Sequence, residues 1–320
     1  MRAIIVKEFG EPEVMKLEEV SMPEVDKNQV LVRVKAAGIN PVDIYIRGGQ
    51  HAVKPELPFT PGKDAAGIIE KVGEAVEKVK VGDRVYTAGS ISGTYAEFAL
   101  CDENQVHRLP ENVSVEQGAG VFVPFATAYR ALFQKANAQK SETVLVHGAS
   151  GGVGTAAVQW AKNAGLKIIG TASSDKGKEL VKEQGADFVL DHSGEEYLEE
   201  IKQITDGKGV NIILEMLANE NLTKDFDVLA MFGRICIIGN RGAIEFDPRL
   251  AMGKDASVCG MSLFNASPED FQEIYDVIYK GLSEGYLNPI VGKTFPLAEA
   301  AKAHQEVMET KAFGKIILEV

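Results

Sequence analysis

With 320 residues, 45% of them hydrophobic, 32 glycines and 12 prolines, the chain has the composition of a globular α/β protein and is too long for one typical core, so two domains are expected. A formal net charge of −12 weighs against non-specific binding to nucleic acid or to an anionic membrane surface, since both reward positive charge. The three cysteines, Cys101, Cys236 and Cys259, form no CxxC pair, which speaks against a disulfide framework and against a four-cysteine zinc site.

The first residues, MRAIIVKEFGEPEV, place Lys7 and Glu8 where a signal peptide needs its apolar run, and no stretch of about 20 uninterrupted apolar residues follows anywhere. A cytoplasmic protein is the expectation. From Met1 to about Gly118 the pattern is short β-rich segments divided by Gly and Pro: Arg2 to Val6, Gln29 to Ala36, Ala66 to Val72, Asp83 to Tyr86 and Thr94 to Leu100. This predicts a β-barrel-like domain over 1–118.

After Gly118 strands and helices alternate. The most specific stretch is Thr143 to Trp160, TVLVHGASGGVGTAAVQW, in which a β-branched run leads into Gly148, Gly151, Gly152 and Gly154 and then into a helix-forming segment. A strand, tight turn and helix of this kind let backbone amides approach a diphosphate and set it at the positive end of the helix. Ala149 stands where the first glycine of GxGxxG is expected, so the motif alone is weak. Its context is stronger: Leu166 to Ala172 returns as a strand, completing a βαβ unit of about 30 residues.

The end of that unit bears on the cofactor. A site for NADH expects Asp or Glu about 20 residues beyond the glycines to hold the ribose hydroxyls, whereas Ser173 and Ser174 stand here, followed by Asp175 and Lys176. Two hydroxyls and an ammonium suit a 2′-phosphate, which a carboxylate would repel, so NADPH is expected over NADH. The alternative is that the two serines cap the helix beginning near Lys176.

Further on, Lys178 to Gln184, Tyr197 to Ile204 and Leu222 to Met231 are predicted helices, and Phe188 to Leu190, Val210 to Leu214 and Arg234 to Ile238 predicted strands. Such alternation implies a parallel sheet covered on both faces, with its ligand crevice at the carboxyl ends of the strands. That logic nominates His192, Asn219, Asn221, Gly239, Asn240 and Arg241 as loop residues near a cofactor. The last part reads as a helix from Pro268 to Ser283, a crossing from Asn288 to Pro296, a helix from Ala298 to Met308 and a strand from Gly314 to Leu318 that returns to the first domain. The expected domains are 1–118, 119–258 for the cofactor, and 259–320 completing the first.

The segments GINPVDIYIRGG at Gly38 to Gly49, PFTPGKDAAGIIEKVG at Pro58 to Gly73, VGDRVY at Val81 to Tyr86, ISGTYAEFAL at Ile91 to Leu100, VPFATAYRAL at Val123 to Leu132, VLVHGASGGVG at Val144 to Gly154, EMLANENL at Glu215 to Leu222, IIGNRG at Ile237 to Gly242 and the ending FGKIIL together resemble the medium-chain dehydrogenase/reductase superfamily, and within it the zeta-crystallin-like quinone oxidoreductases. The resemblance spans essentially the whole chain. It implies an α/β fold with a GroES-like β-barrel catalytic domain into which a Rossmann cofactor domain is inserted.

Zinc-dependent members of the superfamily carry a metal-binding cysteine and a Gly-His-Glu where this chain has Ala37-Gly38-Ile39-Asn40 and Gly62-Lys63-Asp64, so no metal is expected there and alcohol oxidation is not implied. The activity implied is NADPH-dependent reduction of quinones, by hydride or electron transfer. Tyr45, Asn40 and Thr127 are implied at the nicotinamide end, and Tyr45 is either a chemical group or only a wall of the site. Ser150, Gly151, Gly152 and Val153 are implied at the diphosphate, and Ser173, Lys176 and His192 around the adenosine phosphate. Asn221, Ile238, Gly239, Asn240, Arg241 and the run Met261, Ser262, Leu263, Phe264 complete the implied cofactor residues. A homodimer or homotetramer is implied, formed through an edge of the cofactor domain near Met261 to Phe264.

Three alternatives follow. A short-chain dehydrogenase needs a Tyr with Lys four positions later, and none of the eight tyrosines has one. An alkenal or enoyl-thioester reductase of the same superfamily would use the same cofactor. An RNA-binding or bulk structural role is the third, against which the charge and the lack of a basic-aromatic stripe weigh. His51, His107, His147 and His304 are expected to be mostly structural, and Arg47 and Arg130 to be ion-paired supports.

Overall fold

The computed structural model describes residues 1–194, 196–309 and 313–320, and the chain divides into two compact units. The first comprises Met1–Val123, residues 279–309 and Gly314–Val320, and the second Pro124–Ile278 with Phe313. The boundaries therefore fall at 123/124 and 278/279, not at 118/119 and 258/259. The reason for the later one is a short strand, Ser257–Gly260, which adds to the sheet of the second unit and carries the chain past the expected return point.

Unit 1 begins with β1 (Arg2–Val6), β2 (Met15–Glu19), β3 (Gln29–Gly38), α1 (Pro41–Arg47), β4 (Asp64–Val72), β5 (Arg84–Thr87), β6 (Phe98–Asp102), β7 (Val106–Arg108) and α2 (Val115–Gly118). The expected strand over Thr94 to Leu100 starts later, at Phe98. Ala96 makes only an isolated bridge to Ala3. α1 has Pro41 at its first position, where a missing N–H costs nothing, and Asn40 as its N-cap residue.

Unit 2 runs through α3 (Phe122–Tyr129), a π-helical turn (Arg130–Lys135), β8 (Thr143–Val146), α4 (Gly152–Ala164), β9 (Lys167–Thr171), α5 (Asp175–Gln184), β10 (Phe188–Leu190), α6 (Glu196–Ile204), β11 (Val210–Glu215), α7 (Ala218–Val228), β12 (Leu229–Ile237), α8 (Arg249–Met252), β13 (Ser257–Gly260) and most of α9 (Pro268–Glu284). Its six strands are all parallel, in the order β10-β9-β8-β11-β12-β13. Counted within the unit this is 3-2-1-4-5-6, the doubly wound order whose ligand crevice opens where the order reverses, between β8 and β11. Leu145, Ile169, Ile213 and Ile235 form its core with Ile201, Leu222 and Phe226 from the covering helices.

One predicted helix is corrected. The chain is extended from Leu229, so the helix expected to reach Met231 stops at Val228. Leu229 pairs with Val210 in the sheet, and Phe232 takes φ = 60°, which no helix accommodates. Asn219 and Asn221, expected in a loop, lie in the first two turns of α7.

The chain returns to unit 1 through β14 (Val291–Pro296), α10 (Ala300–Glu309) and β15 (Lys315–Glu319). β15 returns to this unit, as expected of the terminal strand, pairing antiparallel with β3 and parallel with β14, which covers most of the segment expected as a crossing. The sheet order is β14-β15-β3-β4-β5-β7, with β6 also on β3. Val32, Val34, Ala65, Ile69, Val85, Tyr95 and Leu318 fill its core.

Candidate active site

The turn after β8 depends on three glycines, Gly148, Gly154 and Gly170. Gly148 has φ = 56°, a left-handed conformation that favours glycine. A Cβ on Gly154 would lie 2.4 Å from Gly148 O and 2.6 Å from Ala149 Cα, so α4 packs directly on the turn. A Cβ on Gly170 would come within 3.0 Å of the Ala149 methyl, so the alanine that replaces the first motif glycine is accommodated by a glycine on the neighbouring strand. Ala149 N–H donates to Thr171 O (2.8 Å) and Gly148 N–H to Thr171 Oγ1 (3.2 Å), which pins the turn to the end of β9.

α4 has a glycine, Gly151, as its N-cap and no side chain capping its first turn. Its leading N–H groups, from Gly152 and Val153, have no acceptor within the helix, and the helix dipole adds positive potential there. That is the donor set a diphosphate requires.

Beyond β9 the chain runs Ala172-Ser173-Ser174 with no carboxylate before the exposed Asp175. Ser174 is the N-cap of α5 and accepts from Gly177 N–H (3.1 Å), so the capping alternative holds for this serine. Ser173 stands one residue outside the helix and is half-buried. Lys176, in the first turn of α5, is exposed and holds its ammonium 4.2 Å from the centre of the Phe313 ring. Ser150 is buried against the same turn: its Oγ lies 3.3 Å from where a Gly177 Cβ would stand. The structure thus brings Ser150, Ser173 and Lys176 to one corner. His192 joins it through its Nδ1, 2.9 Å from Thr171 Oγ1. Thr171, which sequence reasoning missed, connects the turn to His192; its signal was a hydroxyl as the last residue of the strand.

The remaining predicted residues line the carboxyl ends of β11 and β12. Ile238 N–H donates to Glu215 O (2.8 Å), and Gly239 has backbone so near that a Cβ would meet Met216 O at 2.2 Å. Asn240 Nδ2 donates to Gly242 O (2.7 Å), and Arg241 N–H to Asn219 Oδ1 (2.8 Å), with both side chains exposed. Asn221 Nδ2 donates to Glu215 Oε1 (3.1 Å). Met261 N–H donates to Ile237 O (2.9 Å), Leu263 is buried, and Ser262 and Phe264 are exposed on the segment after β13.

Behind these ends lies a cluster the sequence did not single out. His147 Nε2 is 2.8 Å from Asp225 Oδ1 and 3.5 Å from Glu215 Oε2, and all three residues are buried. Burial opposes charging of the imidazole, but the hydrogen bond that the charged ring donates to Asp225 and the charges of Asp225 and Glu215 prevail, and its pKa lies above the ordinary value. Burial, with Asp225 adding to it, pushes the Glu215 carboxyl up to about 7.

In unit 1 the predicted Asn40 is 2% exposed, with both ends of its amide engaged. Nδ2 donates to Asp64 Oδ2 (3.0 Å), and Oδ1 accepts from the Lys315 ammonium, which also reaches Asp64 Oδ2 (3.2 Å). Asp64 Oδ1 accepts from Val123 N–H (3.2 Å). Burial drives the Asp64 carboxyl up and the Lys315 ammonium down, and each opposes that shift in the other. The Asn40 N–H donates to Asp43 Oδ2 (2.9 Å) at the start of α1, and that carboxyl is raised to about 7, first by burial. Tyr45, two residues on, is half-buried. Thr127 is 6% exposed on α3. Arg130 is ion-paired to Asp270 (2.8 Å), as expected. Arg47 is not: it is 4% exposed, and its Nε and Nη1 have no partner among the described residues. His51 Nδ1 is taken up locally by Val53.

A largely antiparallel β unit, and a second unit with a 3-2-1-4-5-6 parallel sheet and an uncapped glycine turn, together define a medium-chain dehydrogenase/reductase. Residues 26–111 match the alcohol dehydrogenase GroES-like domain, and 152–280 the zinc-binding dehydrogenase family. The chain is 48% identical over 320 residues to rat quinone oxidoreductase and 46% to the human one, covering 99% of this chain and 97% of each relative. The solved Escherichia coli quinone oxidoreductase complexed with NADPH superposes with a TM-score of 0.90 at 30% identity, over 99% of this chain and 100% of that one. A mycobacterial structure complexed with NADPH gives 0.92 at 29% identity, with both chains covered in full. The chain belongs to the quinone oxidoreductase family of the medium-chain dehydrogenase/reductase superfamily.

Zinc is named in the matched family, yet Asn40, Lys63 and Asp64 do not fit a catalytic zinc ion. They offer neither thiolate nor imidazole, and the ammonium of Lys315 occupies the position between Asn40 and Asp64 where a cation would be held. Among the described residues, no helix is long and apolar enough to cross a membrane.

Proposed function

We propose that the protein reduces quinones with NADPH. The observation that carries this is the corner formed by the uncapped start of α4, Ser150, Ser173 and Lys176, with no carboxylate at the end of β9 to repel a 2′-phosphate. The amides of Gly152 and Val153 hold the diphosphate, and Ser173 and Lys176 receive the 2′-phosphate, with His192 beside them. When bound, NADPH supplies the hydride. A quinone takes two electrons and a proton from nicotinamide and a second proton from solvent to become an aromatic hydroquinone, so the protein needs position and water exclusion more than a strong acid. Tyr45, half-buried on α1, is the side chain we assign to the acceptor oxygen. Asn40 serves as a positioning residue, since both ends of its amide are engaged with Asp64 and Lys315 while its N–H fixes Asp43 at the start of the helix that carries Tyr45.

Steady-state rates with NADPH against 1,4-benzoquinone, 9,10-phenanthrenequinone and 2-alkenals test the proposal. Turnover of the quinones well above that of the alkenals is expected, and a flat response to both quinones ends it. Tyr45→Phe tests the tyrosine separately: unchanged turnover removes its hydroxyl from the chemistry. We also propose a homodimer or homotetramer, supported by the unpaired edge of β13, where Val258 is exposed, and by the exposed Phe264 that follows; light scattering of the eluted protein tests it.

A further inference from the structure

We propose that His147, Glu215 and Asp225 bind one divalent transition-metal ion within unit 2. The three come from the residue after β8, the last residue of β11 and the buried face of α7, and none is more than 3% exposed. They are other residues than the Asn40, Lys63 and Asp64 at which zinc-dependent relatives hold their metal.

Geometry and charge both point to a cation. Ligand atoms around a tetrahedral Zn²⁺ at about 2.1 Å stand about 3.4 Å from one another. His147 Nε2 and Glu215 Oε2 are already 3.5 Å apart, and the 2.8 Å between Nε2 and Asp225 Oδ1 is a hydrogen-bond separation that a bound ion would have to widen. One ligand atom from each of the three lies within 4.8 Å of the others. Glu215 Oε2 and Asp225 Oδ2 are buried with no hydrogen-bond partner among the described residues, which is costly for carboxylate oxygens unless a cation or a proton faces them. No lysine or arginine makes an ion pair with either acid among the described residues, so two acidic side chains face a single imidazole.

The surroundings are those of a site held in advance. Glu215 Oε1 accepts from Leu217 N–H and from Asn221 Nδ2 (3.1 Å), which orients the carboxylate so that Oε2 faces His147. The Tyr197 ring meets the imidazole edge-on, with centroids 6.3 Å apart, and limits its rotation. One imidazole and two carboxylates suit Zn²⁺, Co²⁺, Fe²⁺ or Mn²⁺, with water as a fourth ligand. On binding, the proton that Nε2 shares with Asp225, together with any proton on the Glu215 carboxyl, leaves to solvent and the metal takes its place. The ion would fix β8, β11 and α7 behind the glycine turn.

The test uses the full chain, freed of metal by chelation and dialysed against Co²⁺. Wild type is expected to retain one Co²⁺ per chain by elemental analysis and to show visible d–d bands without the sulfur-to-cobalt band a cysteine site would give. Asp225→Asn, which preserves shape, loses the ion, and Asn221→Ala weakens retention by about 10- to 100-fold. Far-ultraviolet circular dichroism establishes that each variant is folded, and a rise in wild-type melting temperature with Zn²⁺, absent in Asp225→Asn, is the second readout. Substoichiometric cobalt in the wild type, or equal retention by wild type and Asp225→Asn, overturns the proposal and leaves the cluster as a shared-proton network. Neither outcome bears on quinone turnover, which is measured separately.

Discussion

Gly154→Ala perturbs the diphosphate turn by one methyl group. The new Cβ would sit 2.4 Å from Gly148 O, 2.6 Å from Ala149 Cα and 2.7 Å from Ala149 C, all backbone atoms that cannot rotate away. Relief requires α4 and the turn to separate. Overpacking of this kind costs up to about 3 kcal/mol, and the better helix propensity of alanine returns about 1 kcal/mol, leaving a loss of about 2 kcal/mol. At ~2–4 °C per kcal/mol for a domain of this size, the melting temperature of unit 2 should fall by about 4–8 °C. Displacing the Gly152 or Val153 amide also removes a hydrogen bond to a charged group, worth about 1.5–3 kcal/mol, so NADPH affinity should drop at least tenfold. Gly242→Ala is the control, since a Cβ there meets nothing within 4 Å. Differential scanning fluorimetry and NADPH fluorescence titration read both quantities. Wild-type melting and affinity in Gly154→Ala would refute the packing argument.

Two buried groups in unit 1 should shape stability against pH in opposite senses. His304 Nε2 meets Tyr95 Oη (3.1 Å), and burial first, then the charge of Arg47, lowers the His304 pKa to about 3, below the 6.5 of an unfolded histidine. Its contribution is present above pH 6.5 and is lost as the pH falls, at up to about 1.4 kcal/mol per pH unit, so urea unfolding of His304→Gln should show a shallower acid limb between pH 6 and 4. Asp43, raised from 3.8 to about 7, does the reverse: its contribution is lost as the pH rises through that window, and Asp43→Asn should flatten the rise side. Among the thiols, Cys259 is half-buried and its pKa is lowered to about 7, with the Cys236 thiol as first cause, whereas burial lifts Cys101 to about 12. Iodoacetamide at neutral pH should therefore label Cys259 first, as peptide mass spectrometry would show, and faster labelling of Cys101 would contradict the assignment.

The parts legible in the sequence are those written locally. Val144 to Ala172 announces its strand, turn and helix within one βαβ unit, and the closing strand at Lys315–Glu319 returns to the first unit, as its place after the alternating elements suggests. Where distant pairing decides, the sequence misleads. Leu222 to Met231 has a helical composition, yet Leu229 is claimed by the ladder with Val210. Ser257–Gly260 is too short to show a period, so the boundary expected at 258 fell inside the sheet. The Asn40–Asp64–Lys315 network joins residues 251 and 275 positions apart, which no local pattern records. The cluster at His147 was half visible: His147 and Glu215 end neighbouring strands, but Asp225 is an acid on the apolar side of α7, beside Leu222 and Phe226.

The central claim is that the turn after β8 holds a dinucleotide diphosphate while Ser173 and Lys176 take the additional phosphate. Fluorescence titration of wild type and Lys176→Ala with NADPH and NADH tests it most directly. Wild type should bind NADPH at least tenfold more tightly, as one charge-assisted contact worth about 1.5–3 kcal/mol implies, and Lys176→Ala should lose most of that preference while keeping its NADH affinity. Preference for NADH in the wild type, or an unchanged ratio in Lys176→Ala, would contradict the account.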